Sequence, residues 1–205
     1  FNIINGGKHA SNNIDIQEFM IVPKFNTFKE SLRAASEVFH ALKGILLDKG
    51  LNTNVGDEGG YAPDLSSNEE ALSVIVKSIE TAGYIPGKNI FIALDIAASS
   101  FYNSETDTYN IDNTNKTREE LLNYYIELLQ KYPIISIEDP FDEDDYLGFK
   151  MITDSLGKKI SIVGDDLFVT NKNLLKKGIE DGFTDAVNGS EEPVTDDYEG
   201  MNHER

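Results

Sequence analysis

Three short apolar runs in this chain end in a carboxylate. Ile90-Phe91-Ile92-Ala93-Leu94 runs into Asp95, Ile134-Ile135-Ser136-Ile137 into Glu138, and Ile160-Ser161-Ile162-Val163-Gly164 into Asp165. A short apolar run closed by a breaker such as Pro140 reads as a strand buried in a parallel sheet. In α/β barrels the reacting groups sit at the C-terminal ends of the strands. Acids delivered from three such ends make an oxygen-rich site for a hard divalent cation. Any one of them alone is better explained as the start of a solvated loop, because 36 of the 205 residues are Asp or Glu. Their recurrence in successive units is what singles them out.

Other candidates precede this triplet. The polar loop Lys8–Asn13 holds His9, and a lone loop histidine is ordinarily just exposed. From Ile16 to Val22 the chain alternates, with Ile16, Glu18, Met20 and Val22 on one face and Pro23 as the stop. Glu18 therefore interrupts an apolar stripe, where a carboxylate is costly unless it is paired or meets a ligand. Asn54–Pro63 is a glycine-rich loop with Asp57 and Glu58 side by side. It lacks the Lys-Ser/Thr pair of a phosphate loop; its glycines allow close approach to a ligand or simply make a flexible connector.

The elements that must position these groups follow a regular order. Phe1–Ile4 is strand-like and closes at Asn5-Gly6-Gly7. Leu32, Ala35, Phe39, Leu42 and Leu46 have the spacing of an amphipathic helix. Ser67 and Glu70 form a capping box for a helix bearing Leu72, Ile75, Val76 and Ile79, and Thr117 and Glu120 do the same for one bearing Leu121, Tyr125, Leu128 and Tyr132. A short helix is expected near Tyr146–Leu156, and another from about Asn171 with Leu174, Leu175 and Ile179. Strands alternating with helices imply βαβ units and a parallel sheet. After Glu180 the periodicity stops. The segment from Asp181 to Arg205 is acidic and without an apolar face, so it is expected to be disordered and to supply no sixth strand.

Bulk properties exclude several classes. A net charge of −18 opposes nucleic-acid binding, which needs a basic footprint, and suits cations. Without cysteine there are no disulfides or thiolate metal sites, which fits a reducing compartment. No apolar run reaches the length of a membrane span and no signal-peptide pattern opens the chain. No EF-hand spacing supports an acidic calcium module. Phe1 already lies in a strand-like run, so the sequence is expected to be a piece of a longer domain.

Five blocks carry a resemblance: INGGKHASNNIDIQEFMIVP at 4–23, NVGDEGGYAPDL at 54–65, ALDIAASSFY at 93–102, SIEDPFDEDD at 136–145 and IVGDDLFVTN at 162–171. In this order and spacing they resemble enolase. The resemblance covers about residues 1–180 and implies a partial TIM-type (β/α) barrel, about five of eight strand units, followed by a divergent acidic tail over 181–205. It implies that Asp95, Glu138 and Asp165 hold catalytic Mg²⁺, with Glu138 and Asp165 also at the substrate. It further implies that Glu58 protonates a departing hydroxyl group and that His9 and Glu18 contact the substrate. Loops near His9 and Glu58 close over the substrate in that family.

The implied reaction is the reversible, glycolytic dehydration of 2-phosphoglycerate to phosphoenolpyruvate. A cytoplasmic homodimer or larger assembly is implied too, and some family members also act at cell surfaces as plasminogen-binding proteins. One departure counts against activity. Where the family places its proton-abstracting lysine, this chain reads Gly189-Ser190-Glu191. The 205-residue chain alone is therefore expected to be inactive. With an incomplete barrel and open sheet edges it is also expected to be unstable or aggregation-prone. The alternative is a non-catalytic metal-binding or interaction fragment.

Overall fold

The computed structural model describes residues 1–184 and 186–187. In chain order the strands are β1 (Asn2–Asn5), β2 (Glu18–Pro23), β3 (Ile90–Asp95), β4 (Tyr102–Asn103), β5 (Thr108–Ile111), β6 (Thr114–Lys116), β7 (Ile134–Glu138), β8 (Ser161–Gly164) and β9 (Ala186–Val187). The α-helices are α1 (Phe28–Asp48), α2 (Asn68–Thr81), α3 (Arg118–Lys131), α4 (Tyr146–Leu156) and α5 (Lys172–Asp181). Six strands form the main sheet in the order β1-β2-β3-β7-β8-β9. The β1–β2 and β2–β3 pairs are antiparallel, and β3, β7, β8 and β9 run parallel. The mixed α/β architecture and the parallel succession after residue 90 are those expected from the sequence.

One row of residues explains why the sheet holds together. Ile4, Phe19, Leu94, Ile137 and Ile162 are mutual register partners across five strands, and none is more than 1% exposed. Burying each such side chain contributes about 1.5–3 kcal/mol. Helices cover this face: Val38, Leu42 and Leu46 of α1, Leu72 and Ile75 of α2, Leu121 and Tyr125 of α3, and Phe149 and Ile152 of α4 join the same core. Because strand side chains alternate, the neighbouring register row, Asn5, Glu18, Asp95, Glu138 and Val163, points to the other face. Its three central members are acids.

Helix starts follow their caps closely. Thr117 and Glu120 make the reciprocal capping box at α3. At α2, Ser67 accepts from the Glu70 amide, but the Glu70 carboxylate turns to the amide and hydroxyl of Ser66 and to Lys49 instead. Asn171 caps α5. In α1 the buried stripe is Ala34, Ala35, Val38, Leu42 and Leu46. Leu32, expected on that stripe, is 44% exposed, because the helix rolls its small residues towards α2 and the sheet.

Two features differ from the sequence reading. A small sheet, β4-β5-β6, lies between β3 and α3, where the sequence pattern singles out no strand. Its tight turn uses Asp112 and Asn113, both at positive φ (49° and 56°), the conformation that suits a two-residue hairpin. Beyond α5, Phe183 stacks on Tyr146 at 4.9 Å, and β9 extends the sheet in parallel from β8. A short sixth strand of the main sheet thus exists where none was expected. The disorder expected from Asp181 onward is therefore wrong for its first residues, since Asp181 closes α5 and Phe183 is buried; the rest of the tail, with the Gly189–Glu191 position of the missing lysine, lies outside the described residues.

Candidate functional site

Strand register assembles the acids. Asn5 pairs with Glu18, Glu18 with Asp95, Asp95 with Glu138, and Glu138 with Val163. Three carboxylates on adjacent strands therefore stand side by side, one residue beyond the buried row. Asp95 is 8% exposed, and its carboxylate accepts a hydrogen bond from Gln17 Nε2 at 3.0 Å. Asp95, Glu138 and Asp139 each present an oxygen, all within 4.8 Å of one another.

Crowding acids in a half-dry place raises their affinity for positive charge. Burial, with the charges of Glu18, Asp139 and Asp166, pushes the Asp95 carboxyl up to about 7 against the single lowering effect of Gln17. Burial, then Asp95, Asp139, Asp165 and Glu18, pushes Glu138 up to about 8. No lysine or arginine pairs with Asp95 or Asp139 among the described residues. An oxygen-only cluster that already prefers a proton is the donor set for a hard cation such as Mg²⁺.

Asp165, expected as the third ligand, sits differently from the other two. It follows β8 directly and is exposed. It lies outside the 4.8 Å group, yet its charge is one of those that raise Glu138. The buried place beside Asp95 and Glu138 belongs to Asp139, 3% exposed, which sequence reasoning did not single out. Its oxygens accept from the amides of Asp165 (3.1 Å) and Asp166 (2.9 Å). Burial pushes its carboxyl up to about 6 in spite of those amides. The available signal was its place directly after Glu138 and before Pro140. Gln17 was missed as well.

A second group joins the row at Glu18. His9, Glu18 and Glu58 offer ligand atoms within 4.8 Å of one another, so the structure brings these three predicted residues together. His9 Nδ1 lies 3.3 Å from Glu18 Oε1, close but without hydrogen-bond alignment. Burial raises the Glu18 carboxyl; His9 works against that and Glu58 adds to it. Glu58 itself is exposed, as are Asp57 and Gly59.

The loop bearing Glu58 is tied to β1 and to the His9 loop. Asp57 N donates to His9 O (3.0 Å) and Tyr61 N to Ile3 O (2.9 Å), while Gly60 N donates to the buried Asn5 Oδ1 (2.9 Å). Gly56 is required by this approach, since a Cβ there would stand 2.6 Å from His9 O. Gly59 adopts φ +83° with open space around it. Beside the group a cavity of about 330 Å³ is lined by Lys8, His9, Ser11, Asn54 and Asp57 among others.

Chemically, the row runs from a mixed nitrogen and oxygen group at one end to an oxygen-only group at the other, with Glu18 between them. The first can exchange protons with a bound molecule, and the second can hold a cation. No helix among the described residues is long and apolar enough to cross a membrane. The sequence matches the family model for the enolase C-terminal TIM barrel domain over residues 1–188. That match runs through the whole described sheet, from β1 to β9, and takes in both acid groups: the chain belongs to the enolase C-terminal TIM barrel domain family.

Proposed function

We propose that this chain is barrel sequence of an enolase-type hydro-lyase, a Mg²⁺-dependent enzyme interconverting 2-phosphoglycerate and phosphoenolpyruvate. Asp95, Glu138 and Asp165 hold the cation. When bound, Mg²⁺ supplies positive charge against the extra negative charge that develops on the substrate carboxylate. Glu58 delivers a proton to the departing hydroxyl group, from a loop reaching the mouth of the site. His9 and Glu18 meet the substrate beside it, and Glu18, half-buried with a raised proton affinity, can hold a proton there at higher pH than a free carboxyl. The observation that carries this reading is the register row of Glu18, Asp95 and Glu138, in a chain of this family. The barrel part, expected over residues 1–180, takes in β9 as well, with the divergent tail after it, in a cytoplasmic homodimer or larger assembly.

A specific observation narrows what the 205-residue chain does alone. Gly189-Ser190-Glu191 offers no lysine where the family abstracts its proton, so this chain binds the cation without turnover. The experiment is a calorimetric Mg²⁺ titration combined with an assay of phosphoenolpyruvate formed from 2-phosphoglycerate. Binding without turnover is expected. Turnover by the purified chain overturns the inactive-fragment reading, and absence of cation binding overturns the site itself.

A further inference from the structure

We propose that Asp139 is a positioning residue that sets where Asp165 stands relative to Asp95 and Glu138. The inference rests on the cation reading of those three acids and gives a separate task to the acid whose oxygen groups with those of Asp95 and Glu138 within 4.8 Å.

Asp139 is the point at which three strand-end loops are joined. Its amide donates to Val163 O on β8 at 3.0 Å, and its carbonyl accepts from Ala98 N, in the turn after Asp95, at 3.1 Å. Its carboxylate spends one oxygen on the Asp165 amide (3.1 Å) and the other on the Asp166 amide (2.9 Å). Next to it, Ile96 N donates to Glu138 O at 2.9 Å. The loops that follow Asp95, Glu138 and Asp165 thus share one residue.

Backbone conformation marks the same place. Asp139 has φ +42°, and the loops it ties contain Ala97 (48°), Val169 (41°) and Thr170 (57°). Left-handed backbone at a residue with a side chain costs free energy and persists only where its surroundings hold it. A β-branched residue such as Val169 is a particular outlier. Around Asp139 the hydrogen bonds are what hold it. A carboxylate serving only as a cation ligand has no need of two amide donors from the neighbouring loop. Here those donors belong to Asp165 and to its neighbour. The tether fixes the start of the turn in which Phe168 N and Val169 N donate back to Asp165 O.

Charge and tether can be separated by substitution in the full 205-residue chain. D139A and D139N remove the same charge; alanine removes both acceptors, whereas asparagine keeps the shape and one accepting oxygen. D166N removes a neighbouring exposed charge and leaves the tether intact. Amide exchange of residues 165–167 is measured in the metal-free chains, and Mn²⁺ affinity by electron paramagnetic resonance. Exchange at 165–167 is expected to rise on the order of tenfold in D139A, the scale of losing a hydrogen bond to a charged group, less in D139N and not in D166N. The Ile137 amide should stay protected throughout. Mn²⁺ affinity should fall furthest in D139A, then D139N, then D166N.

Equal affinities for D139A and D139N, or unchanged exchange at 165–167, overturn the proposal. If D139A does not fold, D139N against D166N decides, and equal losses again overturn it. A wild-type chain that binds no Mn²⁺, yet shows the graded exchange, overturns the cation reading and leaves the tether standing.

Discussion

The two ends of the acid row are held by different means. Asp95 and Glu138 are the last residues of paired strands, locked in register and backed by a fully buried apolar row. His9 and Glu58 come from loops, tied to β1 and to each other by a few backbone hydrogen bonds. The first arrangement buries acids and sets their charges against one another, and the cost, burial first and repulsion second, shows as carboxyls that retain protons near neutrality. The second keeps Glu58 in water on an exposed loop. A site for a resident cation needs the former, and a group that passes protons to a bound molecule profits from the latter.

The largest test of this contrast is removal of the fixed charges. Asp95→Ala or Glu138→Ala is expected to lower Mn²⁺ affinity by about 100-fold or more, since even outer partners of metal ligands cost about 10–100-fold. Glu58→Gln should leave affinity within about twofold on the same scale. Equal losses in a titration of all three would erase the distinction.

Next comes pH. Free Asp and Glu carboxyls lose their protons near 3.8 and 4.5, but in the fold Asp95 and Glu138 hold theirs to about 7 and about 8. Between these limits the folded chain binds more protons than the unfolded chain, so metal-free stability falls as pH rises from about 4 to about 8. Melting in the presence of a chelator should therefore drop across that window. Mg²⁺ should restore most at its alkaline end, where it no longer competes with protons. A metal-free melting temperature that climbs from pH 5 to pH 8 would sink the strained-acid description.

Smaller effects should stay local. Gly56→Ala forces a Cβ to 2.6 Å from His9 O and is expected to cost about 1–3 kcal/mol, as overpacking does. It should displace the His9 imidazole resonances in NMR while Mn²⁺ affinity holds. Smallest is Thr117→Ala, which removes the α3 cap for about 1 kcal/mol, read by thermal melting. Neither end of the row should respond to it.

Much of this was legible in the sequence, for identifiable reasons. A short continuous apolar run that meets an acid, as before Asp95 and Glu138, marks where a buried strand stops, so both could be placed at strand ends from pattern alone. Ser67, Thr117 and Asn171 marked helix starts because each side chain satisfies amides in its own first turn. Asp139 was not legible as a tether, since its partners are amides 26 and 27 residues away. Asp165 has the same strand-end pattern as Asp95 and Glu138, but a turn directed by Asp139 moves it outward. Leu32 was misplaced because a 3-4 spacing fits two neighbouring stripes of one helix, and Ala34 and Val38 took the buried one. The β4-β5-β6 strands are too short and polar for periodicity to reveal.

That small sheet bears on how the chain can change in length. The fully buried Tyr109 donates from its hydroxyl to Asp145 at 2.7 Å. Asp145 in turn receives Arg118 Nε and the Gly148 amide that starts α4. The tip at Ser104–Thr106 is exposed and carries none of these bonds. Insertions, labels or fused peptides can be accepted at the tip, whereas a deletion reaching Tyr109 would loosen the start of α4 and strip a partner from Asp145. The hairpin is free to grow in sequence and not free to disappear.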